Sequence, residues 1–169
     1  MDDMPLTAVL FLSIPEELLI TALGLLLFGI SIRKHLFQLF LIAALQALVS
    51  FSVRLLPLPF GIHTLVQIPL FALAVSLILR LPYVGAFICI LVSSTIYTVL
   101  DATFIPLLLK ITGIPLSEVL QSTSLRVMFF LPQGLTMLVL ILIIVTTGFR
   151  LFTISDYRSA RSRKQDGYH

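Results

Sequence analysis

Polar residues in this chain fall into rows that a helix would stack. Gln46, Ser50 and Arg54 stand at i, i+4 and i+8, so on a helix they share one face, and that face ends in a fixed positive charge. Ser93, Tyr97 and Asp101 repeat the spacing, with Ser94 and Thr98 beside them. Glu16 and Glu17 open one apolar stretch, His63 and Gln67 open another, and Arg126 and Gln133 stand near the start of the last. Three carboxylates, two guanidiniums and a titratable imidazole would come close to neutralising one another. In such a set Arg54 is the anion anchor, and the carboxylates are the partners for a cation or a proton.

These groups are embedded in a chain of 169 residues that is 59% hydrophobic and only 11% charged. A soluble domain carries about a quarter charged residues. With a mean hydropathy of +1.12 this is the composition of an integral membrane protein, with room for four to six spans of about 20 residues and no soluble catalytic domain. A polar row facing lipid would be costly, so the rows are expected to face protein or water. The net charge of +3 is explained by topology rather than by nucleic acid, because the basic residues sit beside the apolar stretches.

The elements that must position the rows follow in order. Ser13-Ile14-Pro15-Glu16 has the form of a capping box, which starts a first span near Ile14 and carries it to about Ile32. Without a basic region before it, this segment reads as retained rather than cleaved. Glu16 and Glu17 then lie in its first turn, where the helix dipole alone would favour them, so dipole partner and ligand group are both open readings. Arg33, Lys34 and His35 form a basic turn. A second span, about Leu36 to Val53, offers Ala43, Ala44 and Ala47 for close packing. The hinge 54–63, with Pro57, Pro59 and Gly61, turns the chain back. A third span runs from about Thr64 to Leu79 and a fourth starts near Tyr83. Continued to Lys110 the fourth would be roughly 42 Å long, beyond a bilayer core of about 30 Å, so Pro106 is a candidate break before the stop at Gly113-Ile114-Pro115. Ser117 is placed to cap a short surface segment, Glu118 to Arg126, and a last span covers about Val127 to Phe149. The tail 150–169 holds five Lys or Arg against two Asp and reads as mostly disordered.

The fold expected is all-α, a polytopic bundle of about five transmembrane helices. Arg33, Lys34, Arg80 and the tail fall on one side, and Asp2, Asp3, Glu16, Glu17, Asp101 and Glu118 on the other, which puts the N-terminus outside and the C-terminus in the cytoplasm. Arg54, Lys110 and Arg126 are the exceptions. In that topology Glu16, Glu17, Arg54, His63, Gln67, Asp101, Arg126 and Gln133 all stand at the outward ends, lining a polar pocket open to the outside, with Gln46, Ser50, Ser94, Tyr97 and Thr98 as its stripes. The competing reading makes each an interfacial cap or a snorkelling side chain at the headgroups.

No catalytic arrangement accompanies them. His35, His63 and His169 stand apart and no His-Glu-x-x-His pattern occurs, so no zinc site is expected. Cys89 is the single cysteine, which rules out an internal disulfide and a cysteine-based metal site. A Ser94, His63 and Asp101 triad has no spacing to support it, and there is no phosphate-cradling glycine loop. The chain reads as a non-enzyme without cofactor or metal.

The opening Ile14-Pro15-Glu16-Glu17, the leucine-rich spans, the Leu-Pro-Leu-Pro-Phe-Gly hinge between Arg54 and His63 and the basic exit together resemble the multipass sensor domains of Gram-positive sensor histidine kinases, the peptide-pheromone receptor type. The likeness is architectural and covers about residues 10 to 150. It implies a bacterial cytoplasmic membrane and signalling through a partner. The kinase part is missing here, so His169 is no phospho-acceptor, and the resemblance leaves a stand-alone sensor, a regulatory or assembly subunit, or a truncated product. The chain is also similar to the substrate-binding subunits of vitamin importers, which would use Ala43, Ala44 and Ala47 for docking. A ligand-free structural subunit of a membrane complex is the third reading. Expected partners are the lipid bilayer and another membrane or cytoplasmic subunit or a second copy, with no nucleic acid.

Overall fold

The computed structural model describes residues 12–54 and 62–151, and only the backbone of Arg54, His63 and Thr64. The hinge 55–61, the N-terminal segment to residue 11 and the tail from 152 lie outside the described residues, as do the roles expected of the Arg54 and His63 side chains. What is described is helical, without a strand: α1 (Ile14–Leu27), a 3-10 turn (Ile32–Lys34), α2 (Leu36–Arg54), α3 (Ile62–Leu79), α4 (Tyr83–Thr112), α5 (Leu116–Gln121) and α6 (Thr123–Thr147).

Helix α1 starts where expected but not by the expected device. Pro15 sits in the first turn, where its missing N–H is no loss, and Glu16 and Glu17 follow. Ser13, however, is already helical at φ −66° and ψ −41° and makes no capping bond. A residue in that conformation does not aim its hydroxyl at the amides of the next turn, so the capping box is not formed. The helix also ends at Leu27 rather than Ile32. Gly29 at φ 73° takes the left-handed position, and Ile30 N–H bonds to Leu25 O at 2.9 Å while Gly29 N–H bonds to Leu26 O at 3.0 Å. This is the Schellman stop, which glycine adopts without steric strain.

Two later boundaries also differ. α4 passes through Pro106 and ends at Thr112, 30 residues and about 45 Å of helix, stopped by Gly113. A single proline removes one backbone bond, and a helix in apolar surroundings tolerates that because every neighbouring peptide gains by staying helical. Ser117 does not cap the surface segment, since α5 begins at Leu116 after Pro115, and the serine that caps a helix here is Ser122, at the start of α6. Ser122 is extended and its hydroxyl accepts from Leu125 N–H at 3.5 Å, whereas Ser117 lies inside α5. The expected surface segment therefore divides, and Arg126 belongs to α6, which begins before Val127.

Packing puts α1 at the centre. It contacts α2, α4 and α6, while α2 to α3, α3 to α4 and α4 to α6 close an arc around it. The contact with α4 is backbone-close. A Cβ on Gly24 would lie 2.9 Å from both Cys89 Sγ and Ser93 Oγ and 3.0 Å from Cys89 O. Dispersion between surfaces this close is the main force available to helices in an apolar solvent. Leu23, Leu25, Ile42, Val75, Ile90 and Met137 fill the core.

Polarity runs inward. On α2 the buried face is Leu39, Ile42, Ala43, Gln46, Ala47 and Ser50, and the exposed face is Phe37, Phe40, Leu41, Leu45 and Leu48. Amides inside and leucines outside is the reverse of a soluble helix. Among the described residues, three helices are long and apolar enough to cross a membrane: Leu36–Val53, Tyr83–Thr112 and Thr123–Thr147. α3 contributes a shorter apolar run, Leu65–Leu79, and α1 has 14 residues.

Candidate functional site

α1 brings Glu16 and Glu17 into the middle of the bundle end where α2 and α4 carry their polar rows. Two cavities form there. The smaller, about 170 Å³, is lined by Glu16, Glu17, Gln46, Ser50, Gln67, Ser94, Tyr97 and Thr98, with Ile20, Ile68 and Phe71 as its apolar wall. The larger, about 310 Å³, is lined by Glu16, Tyr97, Asp101, Arg126 and Gln133, with Leu12, Ile105, Leu116, Val119, Leu120, Phe129 and Phe130. Glu16 and Tyr97 belong to both. Every expected site residue whose side chain is described thus lines one chamber or the other.

Local helix geometry explains this. Gln46 and Ser50 are one turn apart on the buried face of α2, so Ser50 Oγ reaches Glu17 Oε1 at 3.2 Å while Gln46 stands one turn deeper. On α4 the Tyr97 hydroxyl faces the Glu16 carboxylate. Ser93 lines neither chamber: its hydroxyl bonds back to Cys89 O at 3.0 Å and Ile90 O at 3.2 Å, against Gly24. Thr98 bonds back to Ser94 O at 2.9 Å, keeping its methyl group free to face the cavity or lipid.

Arg126 and Asp101, which share the larger chamber, do not pair with each other. The Arg126 guanidinium donates to Leu120 O, at the C-terminal end of α5, where the orphan carbonyls and the helix dipole both favour a cation. Asp101 instead faces the Gln133 amide across the larger chamber. Glu17 is buried with Ser50, and Thr21 bonds back to the Glu17 carbonyl at 2.7 Å.

Three amides remain. Gln46 Oε1, Gln67 Nε2 and Gln133 Nε2 are buried and make no hydrogen bond among the described residues, although Gln133 faces the Asp101 carboxylate. Gln46 is 1% exposed and Gln133 2%, so bulk water does not reach them as it reaches a surface amide. Native interiors satisfy nearly all such atoms, and each one left unmade costs about 1–3 kcal/mol. All three line a chamber.

The chamber walls contributed by α5 were not legible as such. The sequence offered only a short surface segment, Glu118 to Arg126, whereas Leu116, Val119 and Leu120 of α5 line the larger chamber together with Phe129 and Phe130 of α6. No cluster of histidine, cysteine, aspartate or glutamate able to hold a metal occurs among the described residues. What the arrangement offers is a polar slot with carboxylate acceptors, amide donors and acceptors, and an apolar floor. Comparison with family models, with curated proteins and with solved structures finds no match to this chain.

Proposed function

We propose that this chain is a non-enzymatic, multipass membrane protein of the sensor or regulatory-subunit kind, which binds a small polar solute in the two-chambered slot and signals through a partner protein. The orphaned glutamine amides carry the reading. A slot serving stability alone would pair its amides internally, whereas Gln46 and Gln67 hold an acceptor and a donor open toward the smaller cavity. The solute that fits presents hydrogen-bond donors and acceptors together and carries a cationic or protonated group toward Glu16 and Glu17. The larger chamber, about 310 Å³, stands at the small end of the roughly 300–1,000 Å³ range of ligand sites, and the smaller, about 170 Å³, falls below it.

A second feature favours a sensor over a passive binder. α1 carries Glu16 and Glu17 at one end, and at the other its Leu27 carbonyl accepts a bond of 2.8 Å from Leu151 N–H, just past α6. A shift of α1 on filling the slot is therefore felt where the basic tail begins. The importer-subunit reading draws less support, because Ala43 and Ala47, 0% and 1% exposed, are spent on packing within the bundle rather than on a docking face. In the proposed topology five helices cross a bacterial cytoplasmic membrane, with the slot outside and the tail in the cytoplasm.

The test is native mass spectrometry of the full chain released gently from its own membrane. A retained small molecule that is absent from Gln133→Leu and Gln46→Leu is the expected result. A bare wild-type chain that travels with stoichiometric protein subunits instead would reject the slot as a binding site.

A further inference from the structure

The opposite end of the bundle holds a third cavity, of about 380 Å³, between the turn after α1 and the exit of α6. Arg33 and Arg150 line it, together with Ser31, and Leu26, Ile144, Val145 and Phe149 form its apolar side. Its shape depends on Gly29. With no side chain there, Arg150 lies across the turn, its Cδ 3.1 Å and its Nε 3.6 Å from the place a Cβ would occupy. The Leu151 to Leu27 bond holds the segment in that position.

The charge at this end has no internal counterpart. The carboxylates of the described residues, Glu16, Glu17, Asp101 and Glu118, belong to the slot end or to the helices beside it, and neither arginine meets a carboxylate among the described residues. Ser31 lines the cavity in extended conformation without a capping bond. Two guanidiniums and a hydroxyl converging on one space are the donors that phosphate oxygens take, since guanidinium forks match them two at a time.

We propose that this cavity binds a net anionic phosphate group, held between Arg33 and Arg150. The source favoured by the walls is a phospholipid headgroup. The cavity opens at the level where the apolar run of α6 ends at Thr147, so its apolar side meets the glycerol and upper acyl region while the arginines meet the phosphate. Lys34 shares the turn but does not line the cavity, and serves as the internal control.

The experiment uses the full chain, delipidated in detergent, titrated in native mass spectrometry with phosphatidylglycerol and with phosphatidylcholine of the same acyl chains. The wild type is expected to hold phosphatidylglycerol roughly tenfold more tightly than the zwitterionic lipid, about 1.4 kcal/mol. Arg33→Gln and Arg150→Gln each lose most of that preference, and Lys34→Gln keeps it. Competition with millimolar inorganic phosphate separates the sources: no displacement supports the headgroup, while displacement supports the same phosphate site filled by a soluble anion. Equal binding of the two lipids by the wild type, or equal loss in Lys34→Gln and Arg150→Gln, overturns the site. Both arginines are at the bundle rim, so their glutamine variants are expected to fold, and an unchanged thermal midpoint verifies it.

Discussion

Glu16 and Tyr97 form the partition between the two polar chambers: the tyrosine hydroxyl faces the carboxylate, and both side chains line both cavities. Because one residue comes from α1 and the other from α4, this contact also ties the central helix to the longest one. Tyr97→Phe keeps the ring and removes the donor. A hydrogen bond to a charged acceptor contributes about 1.5–3 kcal/mol, so a loss of that order in unfolding free energy is expected. A cycle with Glu16→Gln checks it, because strictly additive losses would mean that the two groups do not interact.

The orphaned amides lead to an unusual expectation for stability. Gln46→Leu and Gln67→Leu preserve volume and remove a buried polar atom that has no partner among the described residues. In the empty protein each should be neutral or stabilising by about 1 kcal/mol, while solute retention falls. Thermal unfolding in detergent, read beside ligand retention, measures both. Destabilisation by either substitution would show that the amide is satisfied internally and that the slot is a structural feature.

The approach of α1 to α4 at Gly24 leaves no room for a methyl group. Gly24→Ala places a Cβ 3.0 Å from the Cys89 carbonyl, which cannot rotate away, as well as 2.9 Å from Sγ and Oγ atoms that can. Overpacking of this kind costs about 1–3 kcal/mol. Adding Cys89→Ala should recover only part of the loss, since the backbone oxygen stays. Full recovery would place the clash on the sulfur alone.

Topology is open to a direct reading. Cys89 is 1% exposed and so silent to a maleimide, which makes the native chain its own background. Ser117→Cys, beside the slot, should react with a membrane-impermeant reagent on intact cells, and Lys34→Cys only after permeabilisation. The reverse pattern would turn the slot toward the cytoplasm and the arginine cavity outward, and with them the proposed roles of both.

Much of the candidate site was legible because it depends on local geometry. A spacing of four residues stacks side chains on any helix, so Gln46 with Ser50, and Tyr97 with Asp101, were placed on common faces without knowledge of a neighbour. The same holds for the apolar runs, the stop at Gly113 and the basic turn at Arg33 and Lys34. Ser93 keeps its place in the row, but its hydroxyl turns back to its own helix and packs against Gly24 instead of lining a chamber.

What sequence determined by itself is that these helices are apolar outside, carry polar rows, and need a solvent other than water. What tertiary structure decided is which rows meet. No local rule makes α1 the centre of the bundle, divides the polar space at Glu16 and Tyr97, gives Arg126 to the Leu120 carbonyl rather than to a carboxylate, or lays Arg150 across Gly29. Those outcomes depend on how closely whole helix faces can approach, and the side chains that set the approach stand far apart along the chain.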